Sequence, residues 1–227
     1  VSKTLHVTTS VPTLPALSAQ AERLVELGVH EVAGLSAAEI RAFAEANAGA
    51  NAGADGALLA VHPDRAPASA LAPLLSSEGK PGFVVVDMPD VDLFAPIDTI
   101  TLPSTPLYLL TDVDRGDHMA NWSPDEALPA LAADSRTPLL LSEGIHWALQ
   151  QPAALERNHC YMTIGSRLRK ANGALDARTP ALWFSNGTGR DGRERRNAPK
   201  VGWCWAGNRH TWLSFASATD RRGQAAL

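Results

Sequence analysis

At Asn158 the apolar residues of this chain change their spacing, and that change limits what it can fold into. Before it they recur three and four positions apart, which lines one face of a helix. After it come short aromatic segments at 159–164, 181–185, 201–206 and 210–217, the pattern of strands and turns. The expected fold is α+β: N-terminal helices with short strands, helix-rich over 17–157, then a C-terminal antiparallel Trp-rich meander over 158–218. Helices and strands that follow one another through the first 150 residues keep an α/β fold with a parallel core as the alternative. The 227 residues suit a single globular domain over 17–227, with a disordered leader at 1–16 and a flexible tail at 219–227.

Local signals place the elements. Leu17, Ala21, Leu24, Val25 and Leu27 predict a helix, capped by Ser18 and ended by Gly28. Ser36 and Glu39 form a capping-box pattern ahead of Ile40, Phe43 and Ala44. Ser123-Pro124-Asp125-Glu126 predicts a third helix start, and Ser142-Glu143 a fourth. The apolar runs 57–61, 83–86 and 107–113 are predicted strands, 69–76 a short helix, and the Gly, Ala and Asn of 48–56 a loop. Gly207-Asn208 signals a tight hairpin. With a two-residue loop, Trp205 faces His210 and Trp203 faces Trp212 on one side, and Cys204 and Thr211 lie on the other. A loop that includes Arg209 shifts these pairs by one.

Hydrophobic residues make up 45% and charged residues 19%, which suits a packed domain rather than a disordered chain. No apolar run reaches membrane-spanning length, and the leader lacks the apolar block of a secretory signal. The two cysteines, Cys160 and Cys204, are expected as buried, reduced thiols in a cytoplasmic protein, with a disulfide between them left open. They lack CxxC spacing, and no HExxH links the histidines, so neither a metal nor a cofactor is assigned. The net charge of −4 divides into −12 over residues 1–150 and +8 over 151–227. Such halves face each other or face different partners.

The chain resembles an uncharacterised, mostly actinobacterial protein family filed as a domain of unknown function. The likeness runs from about Leu17 to Ala218. It is carried by Tyr108-Leu-Leu-Thr-Asp-Val-Asp-Arg-Gly116, Ser123-Pro-Asp-Glu-Ala-Leu-Pro-Ala-Leu131 and Gly165-Ser-Arg167. Pro180-Ala-Leu-Trp183, Gly202-Trp-Cys-Trp-Ala-Gly-Asn208 and His210-Thr-Trp212 complete it. The resemblance implies kinship and no activity; the chain departs from the pattern at 168–178 and 187–197.

Three constellations carry the functional expectations. Trp183, Trp203, Trp205, Trp212 and His210 crowd one region, and four tryptophans suit a core. Walled by Trp203, Trp205 and Trp212, the same region also suits a pocket for a small anionic or aromatic ligand, with Arg167 as anchor and His210 as hydrogen-bonding partner. Loop 186–200 holds Arg190, Arg193, Arg195, Arg196 and Lys200, either as a solvated, mobile hairpin tip or as a contact for single-stranded nucleic acid. Asp112, Asp114 and Asp117 could serve a metal or acid–base work, but such side chains usually bond nearby backbone. A Cys204–His210 or Cys160–His159 dyad is disfavoured, because the residues of each pair point apart. No residue is assigned a catalytic role. A small-molecule-binding protein, with enzyme activity left open, is the leading expectation. A nucleic-acid-associated protein using 190–200 and an interaction module or homodimer are the alternatives; no membrane association is expected.

Overall fold

A computed structural model describes residues 13–48 and 56–223. Most of the leader 1–16 and of loop 48–56 lies outside the described residues. The part of the leader that is described is tied down: Thr13 O accepts from Gln151 Nε2 at 3.0 Å and Pro15 O from Gln20 Nε2 at 2.7 Å.

The fold is α+β. Helix α1 (Leu17–Glu26) starts without a side-chain cap, so Ser18 lies inside it, and it ends ahead of Gly28, whose φ is +74°. Helix α2 (Ala37–Asn47) opens on the predicted capping box, with Glu39 N 3.2 Å from Ser36 Oγ and Ser36 N 2.7 Å from the Glu39 carboxylate. Helix α3 (Pro124–Ala133) repeats the device with Ser123 and Glu126. Helix α4 (Leu141–Gln150) starts one residue before Ser142; the Glu143 carboxylate accepts from Leu140 N at 2.7 Å.

The strands used below are β1 (Leu58–Val61), β2 (Phe83–Val84), β3 (Ala95–Pro96), β4 (Leu107–Thr111) and β5 (Cys160–Met162). They continue as β6 (Ser166–Arg167), β7 (Arg178–Phe184), β8 (Pro199–Trp205), β9 (Leu213–Phe215) and β10 (Asp220–Gly223). A three-stranded antiparallel sheet runs β1-β4-β10. Residues 220–223 are therefore a paired strand where a flexible tail was expected. Arg221 is the reason: its guanidinium reaches the buried Glu143 through two contacts of 2.7 Å.

A five-stranded sheet runs β9-β5-β7-β8-β2. Its centre, β5-β7-β8, is the predicted antiparallel meander; β9 joins β5, and β2 joins β8, in parallel. The Trp hairpin does not form. Trp203 lies opposite Pro180 and Trp205 opposite Arg178: β7 takes one edge of β8 along its whole length, and β2 pairs on the other edge only at Lys200 and Val201. The turn after Trp205 is present, with Asn208 N bonded to Trp205 O at 3.0 Å, but it leads the chain away from the sheet. Residues 206–212 instead reach the start of α3, where Asp125 N donates to Ala206 O and Asn121 N to His210 O.

Helix α4 packs between β1 and β7, and all its residues are buried. Side chains complete the β1 edge that no strand covers among the described residues. Gln20 Oε1 accepts from Leu59 N, Gln20 Nε2 donates to Ala57 O, Gln150 Nε2 donates to Leu59 O, and His146 Nε2 accepts from Val61 N. The helices thus supply bonds that a neighbouring strand would give. Gly144 lets the large sheet approach, since a Cβ there would lie 2.5 Å from Thr163 Cγ2. Tyr161, Leu182 and Val201 belong to this main core. Cys160, Met162, Ala181, Leu213 and Phe215 alternate to the other face, where Ala127 and Leu131 of α3 cover them.

Candidate functional site

The large sheet is open at one end of its α3 face. There a cleft of about 420 Å³ is bordered by Cys160, Trp183 and Cys204 from β5, β7 and β8, and by His210 and Trp212 from the crossing segment. Trp203, Phe184, Asn158, His159 and Asn186 also line it. The Trp183 ring lies over Gly202, where a Cβ would meet it at 2.5 Å, and Lys200 Nζ sits 4.8 Å from its centroid. That ammonium is tied to Asp191 at 2.7 Å. The His210 and Trp212 rings stack at 4.5 Å and 11°, leaving Trp212 51% exposed.

Of the five residues expected to bind a ligand, His210 and Trp212 meet at this cleft; Trp203 borders it from β8, but its ring packs against the main core on the other face of the sheet. Trp205 does not line it; its ring stands edge-on to Trp203 at 4.5 Å and is half exposed. Arg167 is elsewhere, because β6 pairs with β3 in a separate ribbon. Its buried guanidinium donates to Asp176 O at 2.8 Å, and its Nε has no hydrogen-bond partner among the described residues. Burial lowers the Arg167 pKa, against the opposing pull of Asp125 and Asp176. This arginine is a tether, not an anchor in the cleft.

Both cysteines are free thiols. Cys204 and His210 border the same cleft, contrary to the hairpin register, and so do Cys160 and His159. Burial pushes the Cys160 thiol well up. It also raises Cys204, against partial opposition from the Trp205 backbone and the Asn208 side chain. Protonated thiols are poor nucleophiles.

The acidic turn after β4 does not converge on a metal. Asp112 pairs with Arg136, and Asp114 Oδ1 accepts from Gly116 N at 2.7 Å. Among the described residues no group of three or more His, Cys, Asp or Glu is placed to hold a metal ion. Asp117 instead stands behind His159, a residue that borders the cleft. Arg115 grips both its oxygens, at 2.7 and 2.6 Å, and His159 Nε2 lies 3.1 Å from its Oδ1. Burial pushes the Asp117 carboxyl up, but hydrogen bonds from His159 and Arg115 outweigh it and hold the group well below the usual carboxylate range. The same His159 nitrogen is 2.9 Å from Ser214 Oγ. The sequence signal for this cluster was the Asp-rich turn; its partner, His159, lies far away along the chain.

The basic loop is not a free hairpin tip. It forms two tight turns, Gly189–Asp191 and Arg193–Arg195. Asp191 holds Ser185 Oγ and Lys200 Nζ, both at 2.7 Å, and the Arg195 guanidinium lies 4.3 Å from the Phe83 ring centroid. The two charge halves meet within the chain: Arg178 pairs with Asp90, Arg157 with Glu78, Arg169 with Asp98, Arg209 with Glu126 and Arg221 with Glu143.

Among the described residues, no helix is long and apolar enough to cross a membrane. A family model described as a family of unknown function (DUF5701) matches residues 23–224. No curated protein and no solved structure matches the chain.

Proposed function

Because the chain belongs to the family of unknown function DUF5701, we propose a function from the cleft alone: it binds a small, flat aromatic molecule with polar edges. The observation that carries this is the half-exposed Trp212, stacked on His210 at the mouth of a cleft walled on the α3 face by Trp183 and Cys204. A volume of about 420 Å³ falls in the range of small-molecule sites. Asn158 and Asn186 offer amides that can donate to and accept from a ring edge. With Arg167 outside and Lys200 held by Asp191, an uncharged ring fits this lining better than a strong anion. The free thiols suit a reducing, cytoplasmic setting.

Titration with nicotinamide, indole and adenine, followed by tryptophan fluorescence, tests the reading. At least one should quench. Trp212→Ala should weaken that binding about tenfold, near 1.4 kcal/mol, with an unchanged thermal midpoint. Quenching by none of them, or equal affinity in the variant, defeats the proposal.

A further inference from the structure

The cleft also contains an imidazole whose hydrogen is fixed from behind. Asp117 Oδ1 at 3.1 Å and Ser214 Oγ at 2.9 Å both address Nε2 of His159. A carboxylate can only accept, so the hydrogen of the neutral ring resides on Nε2. Ser214 can accept as well, because its own hydroxyl has Cys160 O, 3.5 Å away, to donate to. Nδ1 is then left with a free lone pair, and it has no protein partner among the described residues. His159 lines the cleft.

We propose that His159 is a proton acceptor facing the cleft through Nδ1, with Asp117 as its positioning residue. The inference rests on the cleft being a ligand site and adds a reaction to it. A bound ring carrying an acidic N–H or O–H gives its proton to Nδ1: the N–H or O–H bond breaks, an Nδ1–H bond forms, and the ring keeps the electron pair. The imidazolium produced is met by the Asp117 carboxylate, which Arg115 holds in place. This is not a serine-nucleophile triad. Ser214 is fully buried and shares one ring nitrogen with the carboxylate, so no proton passes from serine through histidine to aspartate.

Diethyl pyrocarbonate, which acylates an accessible bare imidazole nitrogen, tests this on the full chain with peptide mass mapping at pH about 7. His159 should be labelled. His146, fully buried with both ring nitrogens engaged, should not be, and serves as the internal control. In Asp117→Asn the amide can turn its NH₂ toward Nε2 and drive the ring hydrogen to Nδ1, so labelling of His159 should be lost. Nitrogen-15 shifts of the wild-type ring give a second measurement, needed should that variant not fold; they should report hydrogen on Nε2. An unlabelled His159, or hydrogen found on Nδ1, overturns the proposal. Undiminished labelling in a folded Asp117→Asn overturns the role of Asp117. Quenching by nicotinamide, indole or adenine with His159 inert sinks the proton acceptor alone and leaves the binding reading standing.

Discussion

His146 shows how one buried side chain couples structure to pH. It bonds Val61 N and Ser142 O deep under β1, and burial lowers its pKa to about 4, against the Ser142 hydrogen bond and the Glu143 charge. The unfolded chain takes up this proton near pH 6.5 and the folded one only near pH 4. As pH falls through that window, the unfolded state binds more protons and stability drops by about 1.4 kcal/mol per unit, or about 3 kcal/mol in all. Urea midpoints at pH 7, 5 and 4 should show this loss in the wild type and a shallower one in His146→Gln; parallel curves would refute it. At this scale the sequence was a partial guide. His210 and Trp212 could be grouped because they are neighbours along the chain. His159 and Asp117 could not, since nothing local to either announces the other.

Elements were legible where their signals are local. The capping boxes at Ser36 and Ser123 use residues three apart, and both helices start as expected. Strand partners are decided by distant competition. Gly207-Asn208 does make a turn, yet the chain around it is drawn to the start of α3 by bonds from Asp125 N and Asn121 N, while β7 pairs with β8 along its length. Arg167 followed the same logic, since β6 joined β3 rather than the Trp-bearing sheet. Strand β10 was missed because its short polar run is held by distant partners of Arg221: Glu143, which Tyr108 Oη also addresses at 2.8 Å, Thr137 and Pro138. Removing one member of a buried pair leaves an uncompensated charge. Arg221→Met should therefore cost about 3–5 kcal/mol in urea unfolding, and adding Glu143→Gln should recover part of it. An additive or larger loss in the double variant would contradict the pairing.

Across the whole molecule, the acidic and basic halves are largely spent on each other. Lys200 is bound to Asp191, Arg190 lies 3.6 Å from Asp87, and Arg195 stacks on Phe83. Arg193 and Arg196 are the loop cations with no side-chain partner among the described residues. Two phosphates at about 0.7 each would give a log K against log salt slope no steeper than about −1.4 for single-stranded DNA. Anisotropy titrations with oligo(dT) at several salt concentrations check this. A much steeper slope would mean that the loop abandons its internal partners for nucleic acid.

The place of β10 also bears on how the protein is made. Glu143 and Tyr108 leave the ribosome well before Arg221, and β4 waits with one edge open until residues 220–223 arrive. During that interval the nascent chain holds an acidic group near a core that cannot yet close over it, beside an unpaired strand edge of the kind that recruits other chains. Closure of this half of the molecule therefore waits on β10, whose Arg221 neutralises the buried acidic group as its strand covers the open edge.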